Sequence, residues 1–272
     1  MVDYATAETS ASDGRSMELY EFSLLGNYWH FIDGNDFVTV GINTYEPMAI
    51  SHSAIKTSGE IASAGITVTV PRTLGFLSLW NGGAPPDTVK LTIYSQHKNA
   101  TGQVVIWSGR VLTPTLRDGL AELDCRPGLW SLRRQTARNM HSISCPAALY
   151  GEVCGVDKFA FQEIGAADAV SGNTVTVNAI TQPDGYFDGG FIEWADADLS
   201  LTRRGSVMSQ VGDVLTLLVP PTNLPVGAAL NLYPGCDHTP GHCGPAKFNN
   251  EENYPGLPFM PGKNPFNGTM LF

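Results

Sequence analysis

Two stretches decide how this chain is read: Cys145-Pro-Ala-Ala-Leu-Tyr-Gly-Glu-Val-Cys154 and Cys236-Asp-His-Thr-Pro-Gly-His-Cys243. Eighty-one residues of largely strand-like sequence separate them. Each interval holds a proline and a glycine, Pro146 and Gly151 in the first and Pro240 and Gly241 in the second. Turn residues of this kind let a short interval double back and aim two sulfurs at one point. The expectation is that Cys145, Cys154, Cys236 and Cys243 close on one metal centre and fix the C-terminal half. Thiolates select zinc or iron–sulfur chemistry. Structural zinc sites use short knuckles, with about two to four residues between paired cysteines. The intervals here hold eight and six residues, and a cluster, larger than one ion, tolerates the wider loops. Spacing therefore favours iron–sulfur over zinc and leaves zinc as the alternative. His238 or His242 could replace a thiol, and four unrelated thiols are the plain alternative. Cys125, ahead of Arg126-Pro-Gly, has no partner at a telling distance and reads as an ordinary buried or free thiol.

Outward from the cysteines the sequence is punctuated by turns. Glu18-Leu-Tyr-Glu-Phe22 and Tyr28-Trp-His-Phe31 flank Gly26-Asn27 and predict a hairpin. Ile66-Thr-Val-Thr-Val70 and Val89-Lys-Leu-Thr-Ile-Tyr94 alternate with period two. Leu74-Gly-Phe-Leu-Ser-Leu-Trp80 fits a buried strand or a short helix. Val104–Trp107 and Arg110–Leu112 suggest a hairpin about Ser108-Gly109. Beyond the first cysteine pair, 174–178, 191–194, 213–219 and 228–233 are further strand candidates, with the glycine-rich loop Pro183-Asp-Gly-Tyr-Phe-Asp-Gly-Gly190 between them. The expected fold is mainly β: two small β-barrel or sandwich domains joined by a basic linker. The boundaries are an N-terminal β domain at 1–130 whose first 16 residues form a loose arm, a linker at 131–144, a cysteine-bearing β domain at 145–247 and an extended arm at 248–272. Arg133, Arg134 and Arg138 make the linker basic; it reads as solvated, or as a contact for an acidic neighbouring subunit. The arm is rich in proline, which cannot serve regular ladders. Its Phe248, Tyr254, Leu257, Phe259 and Phe266 predict that it lies along this subunit or a neighbour.

Bulk properties narrow the function classes. The 272 residues carry 29 glycines and 18 prolines but only 15% charged residues, a mix that favours short strands and turns. A net charge of −10 argues against nucleic-acid binding, which needs basic surface. No apolar run approaches the roughly 18 to 20 residues of a membrane helix, and the N-terminus shows no secretion signal. Five cysteines in an unexported protein read as metal ligands plus a spare. Catalytic readings are weak. Cys145 with His141 is the best nucleophile and base pair, but it lacks the strand–turn setting a nucleophile uses. Hydrolase, zinc-protease and phosphate-loop motifs are absent. Asp184 and Asp188 could serve calcium, although such loops are more often plain turns.

Several segments resemble a phage tail family. Cys145-Pro-Ala-Ala-Leu-Tyr-Gly-Glu-Val-Cys-Gly-Val-Asp157 is similar to its first cysteine segment, and Gln182-Pro-Asp-Gly-Tyr-Phe-Asp-Gly-Gly-Phe-Ile-Glu-Trp194 to its central motif. Tyr233-Pro-Gly-Cys-Asp-His-Thr-Pro-Gly-His-Cys-Gly-Pro-Ala-Lys-Phe-Asn-Asn250 resembles its second cysteine segment, and Met260-Pro-Gly-Lys-Asn-Pro-Phe266 its tail. Leu19-Tyr-Glu-Phe22 and Thr69-Val-Pro-Arg72 carry a looser likeness in the N-terminal half. The family is the baseplate hub and tail tip proteins of long-tailed, non-contractile phages and gene transfer agents. The resemblance implies a non-enzymatic virion protein at the distal end of the tail, assembled in the host cytoplasm. It implies a homotrimeric ring between the distal tail protein and the central fibre or tail tip protein. It also implies a [4Fe-4S] cluster on Cys145, Cys154, Cys236 and Cys243. A cytoplasmic metal-binding redox protein and a tail-associated cell-wall hydrolase are the competing functions.

Overall fold

The computed structural model describes residues 2–9, 16–56, 65–81, 83, 85–97, 100–133, 142–178 and 180–260. It divides into two compact units, Met1–Arg134 and Gln135–Phe272. Arg134 and Arg138 of the predicted linker, and His141, lie outside the described residues. No helix among the described residues is long and apolar enough to cross a membrane.

The first unit is built from strands β1 (Val2–Asp3), β2 (Ser16–Leu24), β3 (Asn27–Asp33), β4 (Val38–Val40), β5 (Asn43–Met48), β6 (Ser51–His52), β7 (Ile66–Pro71), β8 (Lys90–His97), β9 (Ala100–Thr101), β10 (Val104–Arg117) and β11 (Leu120–Pro127). Nine of them form one sheet in the order β4-β5-β3-β2-β8-β10-β11-β7-β6, and β1 and β9 form a second, two-stranded one, so this unit is built on one large sheet rather than the expected barrel or sandwich. Alternation explains it. Ile66, Val68 and Val70, then Leu91 and Ile93, then Ala121, Leu123 and Cys125 are buried at every second position, which puts one face of each strand against the core. The 3-10 helix Gly75–Trp80 covers the sheet with Phe76, whose ring meets Phe22, Phe31, Trp29 and Trp80.

Two further expectations are corrected here. The predicted hairpin at Ser108-Gly109 is the middle of the 14-residue strand β10. Gly109 is there because β11 passes too close for a side chain: an added Cβ would sit 2.2 Å from the Arg126 carbonyl oxygen. The predicted arm at 1–16 is in part docked. Helix α1 (Tyr4–Glu8) follows β1, which pairs with β9, and Glu8 meets the buried His97 at 2.6 Å. The β2–β3 hairpin does form, its turn at Leu25-Gly26, with φ of 49° and 90°.

The second unit is a closed six-stranded barrel: β12 (Glu163–Ser171), β13 (Thr174–Val177), β14 (Phe191–Asp196), β15 (Leu201–Val211), β16 (Val214–Leu217) and β17 (Ala229–Tyr233), in the order β12-β13-β16-β15-β14-β17. Closure removes the sheet edges. Val175, Phe187, Ile192, Trp194, Leu215 and Leu230 are among the residues that fill it. Two of its buried side chains are charged. Arg203 of β15 reaches Asp196 of β14, and both are buried. Burial alone would push the Asp196 carboxyl up, but hydrogen bonds from Arg203 and Asn223, with the Arg203 charge, hold it below the ordinary carboxylate range.

Candidate metal centre

The two cysteine segments meet beside the barrel because strand β17 delivers the second one. Tyr233 ends β17, and Pro234-Gly235 carries the chain straight into Cys236. At Gly235 the backbone crosses the glycine-rich loop. A Cβ there would lie 2.0 Å from the Asp188 carbonyl, and one at Gly190 would lie 2.1 Å from that of Tyr233. Only glycine permits two backbones to pass this closely. The 183–190 loop is therefore the platform that seats Cys236. Its carboxylates serve the barrel: Asp188 accepts from the Gln210 N–H at 2.7 Å and Asp184 from the Gly212 N–H at 2.7 Å.

From Cys236 the chain makes one tight loop. Asp237 Oδ1 accepts from the Thr239 N–H at 2.9 Å, His238 holds φ of 62°, and Thr239 caps the short helix α2 (Pro240–Cys243). Pro240 stands in the first turn, where its missing donor costs nothing. The first segment turns similarly. The Gly151 N–H bonds the Ala148 carbonyl, the Gly155 N–H bonds the Gly151 carbonyl, and Tyr150 adopts φ of 61°. The Tyr150 hydroxyl donates to the Pro234 carbonyl at 2.7 Å, and the Cys145 N–H to the His238 carbonyl at 2.9 Å. The first segment is thus tied to the second at two points.

The result brings together all four thiols predicted from the sequence. Cys145, Cys154, Cys236 and Cys243 line one small cavity, walled by Ala147, Leu149, Val156 and Phe248 together with His238, Thr239 and Tyr254. All five cysteines are free. His238 is on the cavity wall, whereas His242 faces Asp237 at 3.3 Å and is not part of the lining. Burial pushes the Cys236 thiol up, the His238 N–H at 3.3 Å from its sulfur opposes that, and charge on Asp237, Cys145 and Cys154 raises it further. Burial likewise raises Cys243, followed by charge on Cys154, Cys236 and Cys145. Cys236 and Cys243, whose ionisation is disfavoured by burial and by the neighbouring thiols, are favoured as thiolates by a bound cation. Among the described residues no three His, Cys, Asp or Glu side chains group tightly enough to hold one metal ion. The donors fit a thiolate-bound metal in chemistry and in sharing one cavity, without the convergence a single ion demands. Cys125 is elsewhere, buried in β11 of the first unit, its thiol pushed up to about 12 by burial and then by charge on Asp124.

The described part of the predicted arm lies along this subunit. Residues 248–260 fold back onto the cysteine segments. Phe248 is buried edge-on to Tyr150 and Phe161. Asn250 donates from Nδ2 to the Cys154 carbonyl at 2.6 Å and from its backbone N–H to the Cys243 carbonyl at 2.6 Å. The Tyr254 hydroxyl lies 3.1 Å from the Ile143 carbonyl and 3.2 Å from that of His238. Asn250 and Tyr254 were not singled out as site residues by the sequence. The signal available was an aromatic-rich, proline-rich run directly after the last cysteine. Phe259 is exposed, and Phe266 lies outside the described residues.

Comparison with known proteins bears on this same region. Residues 185–264, from the glycine-rich loop through the second cysteine pair, match the family model described as "Phage conserved hypothetical protein BR0599". An uncharacterized protein of Xylella fastidiosa strain 9a5c is 25% identical over 138 residues, which cover 46% of this chain and 29% of that one. The chain therefore matches well under half the length of that relative. Among solved structures, a chain of the "Virion of native gene transfer agent (GTA) particle" superposes with a TM-score of 0.79 at 17% identity, covering 96% of this chain and 94% of the other. The two share a fold across nearly their whole lengths. Family model and fold agree with the resemblance to phage tail-type proteins read from the sequence.

Proposed function

From this phage-type match and fold, we propose that the chain is a structural protein of the tail tip or baseplate hub, with a [4Fe-4S] cluster on Cys145, Cys154, Cys236 and Cys243. The observation that carries the reading is the single cavity lined by four thiols from segments 81 residues apart. The wide intervals of eight and six residues between the paired cysteines favour the larger core over zinc, whose structural sites use knuckles of about two to four residues. When bound, the cluster supplies four iron–thiolate links between loops that are distant in sequence, and binding energy at a site missing from the unfolded chain becomes folding energy. The protein's own part is to seat Cys236 on the glycine-rich loop, to aim the His238 N–H at its sulfur, and to exclude water with apolar walls.

The proposed role is the one that the sequence resemblance implies, and the shared fold is compatible with it. The protein acts in the virion at the distal end of the tail, as a homotrimeric ring between the distal tail protein and the central fibre or tail tip protein, and performs no catalysis. Iron and acid-labile sulfide measured on anaerobically purified protein test the cluster, and mass by light scattering tests the trimer. Zinc without sulfide would replace the cluster by the single ion. A monomer that fails to co-assemble with other tail proteins would leave a cytoplasmic redox protein, and release of peptidoglycan fragments would indicate a hydrolase.

A further inference from the structure

We infer that residues 248–257 are a clamp on the cysteine cavity, in which Asn250 is the positioning residue that sets Cys154 against Cys243; as a device for metal binding, the clamp rests on the reading proposed above. The two cysteine loops come from distant parts of the chain, and Asn250 is bonded to one ligand position of each. Its side chain donates to the Cys154 carbonyl and its N–H to the Cys243 carbonyl, while the Cys243 sulfur lies 3.2 Å from its carbonyl. A carboxamide suits this place, since its NH₂ group can donate to a carbonyl where a carboxylate cannot. Asn253 Nδ2 donates to Asn250 Oδ1 at 2.7 Å, which fixes the amide's orientation. The remaining cysteines are held by the next residues of the same segment. Tyr254 lies between the carbonyls of Ile143 and His238, which flank Cys145 and follow Cys236, and the Leu257 N–H bonds the Ser142 carbonyl at 2.8 Å. Phe248 and Tyr254 also form part of the cavity wall. One ten-residue segment thus touches the backbone beside all four thiols and covers their cavity. Asn250 acts through the ligands' backbone, so its loss should loosen the site without deleting a ligand.

The test uses the full chain with Asn250→Ala, Asn250→Gln and Tyr254→Phe. In metal-free protein, thiol labelling read residue by residue by mass spectrometry should run roughly fivefold faster at Cys154 and Cys243 in N250A than in wild type, as expected for the loss of a partly buried hydrogen bond. N250Q should recover part of the protection. Y254F should speed labelling mainly at Cys145 and Cys236. In protein reconstituted with iron and sulfide, visible absorbance should decay in air faster in N250A than in wild type. Equal labelling rates in wild type and N250A, with both folded by circular dichroism, overturn the clamp. Wild type that binds no iron but shows the labelling difference retains the clamp and sinks the cluster. Wild type that binds iron with an N250A variant equally protected and equally air-stable does the reverse.

Discussion

At the scale of single residues, Asp196 and Arg203 form a pair whose contribution depends on pH. Both are buried on adjacent, paired barrel strands, and removing one partner of a buried pair strands the other charge. Asp196→Asn should cost about 3–5 kcal/mol, measured by urea unfolding at neutral pH. The pH dependence has a definite sign. The folded carboxyl titrates below its unfolded value, so its contribution is complete above the usual carboxylate range and disappears as pH falls through the lowered folded value. Wild type should therefore lose stability over that acidic range, and Asp196→Asn should show a flatter profile there. From sequence, Arg203 and Arg204 look alike; the fold alone makes one a core residue and the other an exposed partner of Glu193. Cys125 was readable because it continues the period-two run of Ala121 and Leu123, the pattern of a core position.

At the scale of elements, turns and close crossings decide stability. Leu25 is exposed with φ of 49° and precedes Gly26 in the β2–β3 turn. Asparagine is the favoured residue there, so Leu25→Asn should stabilise the protein by about 1 kcal/mol, seen as a higher urea midpoint with an unchanged slope. Gly235→Ala should act oppositely and cost more than about 3 kcal/mol, because the new carbon meets backbone atoms of Asp188, Gly189 and Gly190 rather than a side chain that can move. Gly241→Ala, five residues on from Cys236 in the same loop, meets only Thr239 Oγ1 at 3.7 Å and should be tolerated, with thermal melting of the two variants as the comparison. Strands β7, β8, β13 and β17 were legible because branched or apolar residues alternate in them. Strand β12 carries alanines and a glycine where branched residues would mark a strand, and β15 places Arg203 and Gln210 inward. Strand β10 looked like a hairpin because Ser-Gly reads as a turn, while the near approach of β11 that requires the glycine is invisible in one dimension.

At the scale of the whole molecule, the two units should respond differently to loss of the proposed cluster. The four thiols all belong to the second unit, and the first holds only Cys125. Stripping the reconstituted centre with oxidant and chelator should lower the unfolding midpoint of the second unit and leave that of the first unchanged, followed by hydrogen exchange in β12–β17 against β2–β11. By itself the sequence determined the mainly β class, because side-chain alternation is a local property of each strand. It also determined the identity of the four ligand candidates, because thiols spaced between turn residues are a chemical statement readable in one dimension. Only the tertiary structure decided that one set of strands spreads into a nine-stranded sheet while the other closes into a barrel, since closure depends on which distant strands pair. It alone placed Asn250 and Tyr254 at the cysteines, because hydrogen bonds to backbone carbonyls 16 to 111 residues away leave no mark on the donors' own neighbours in sequence.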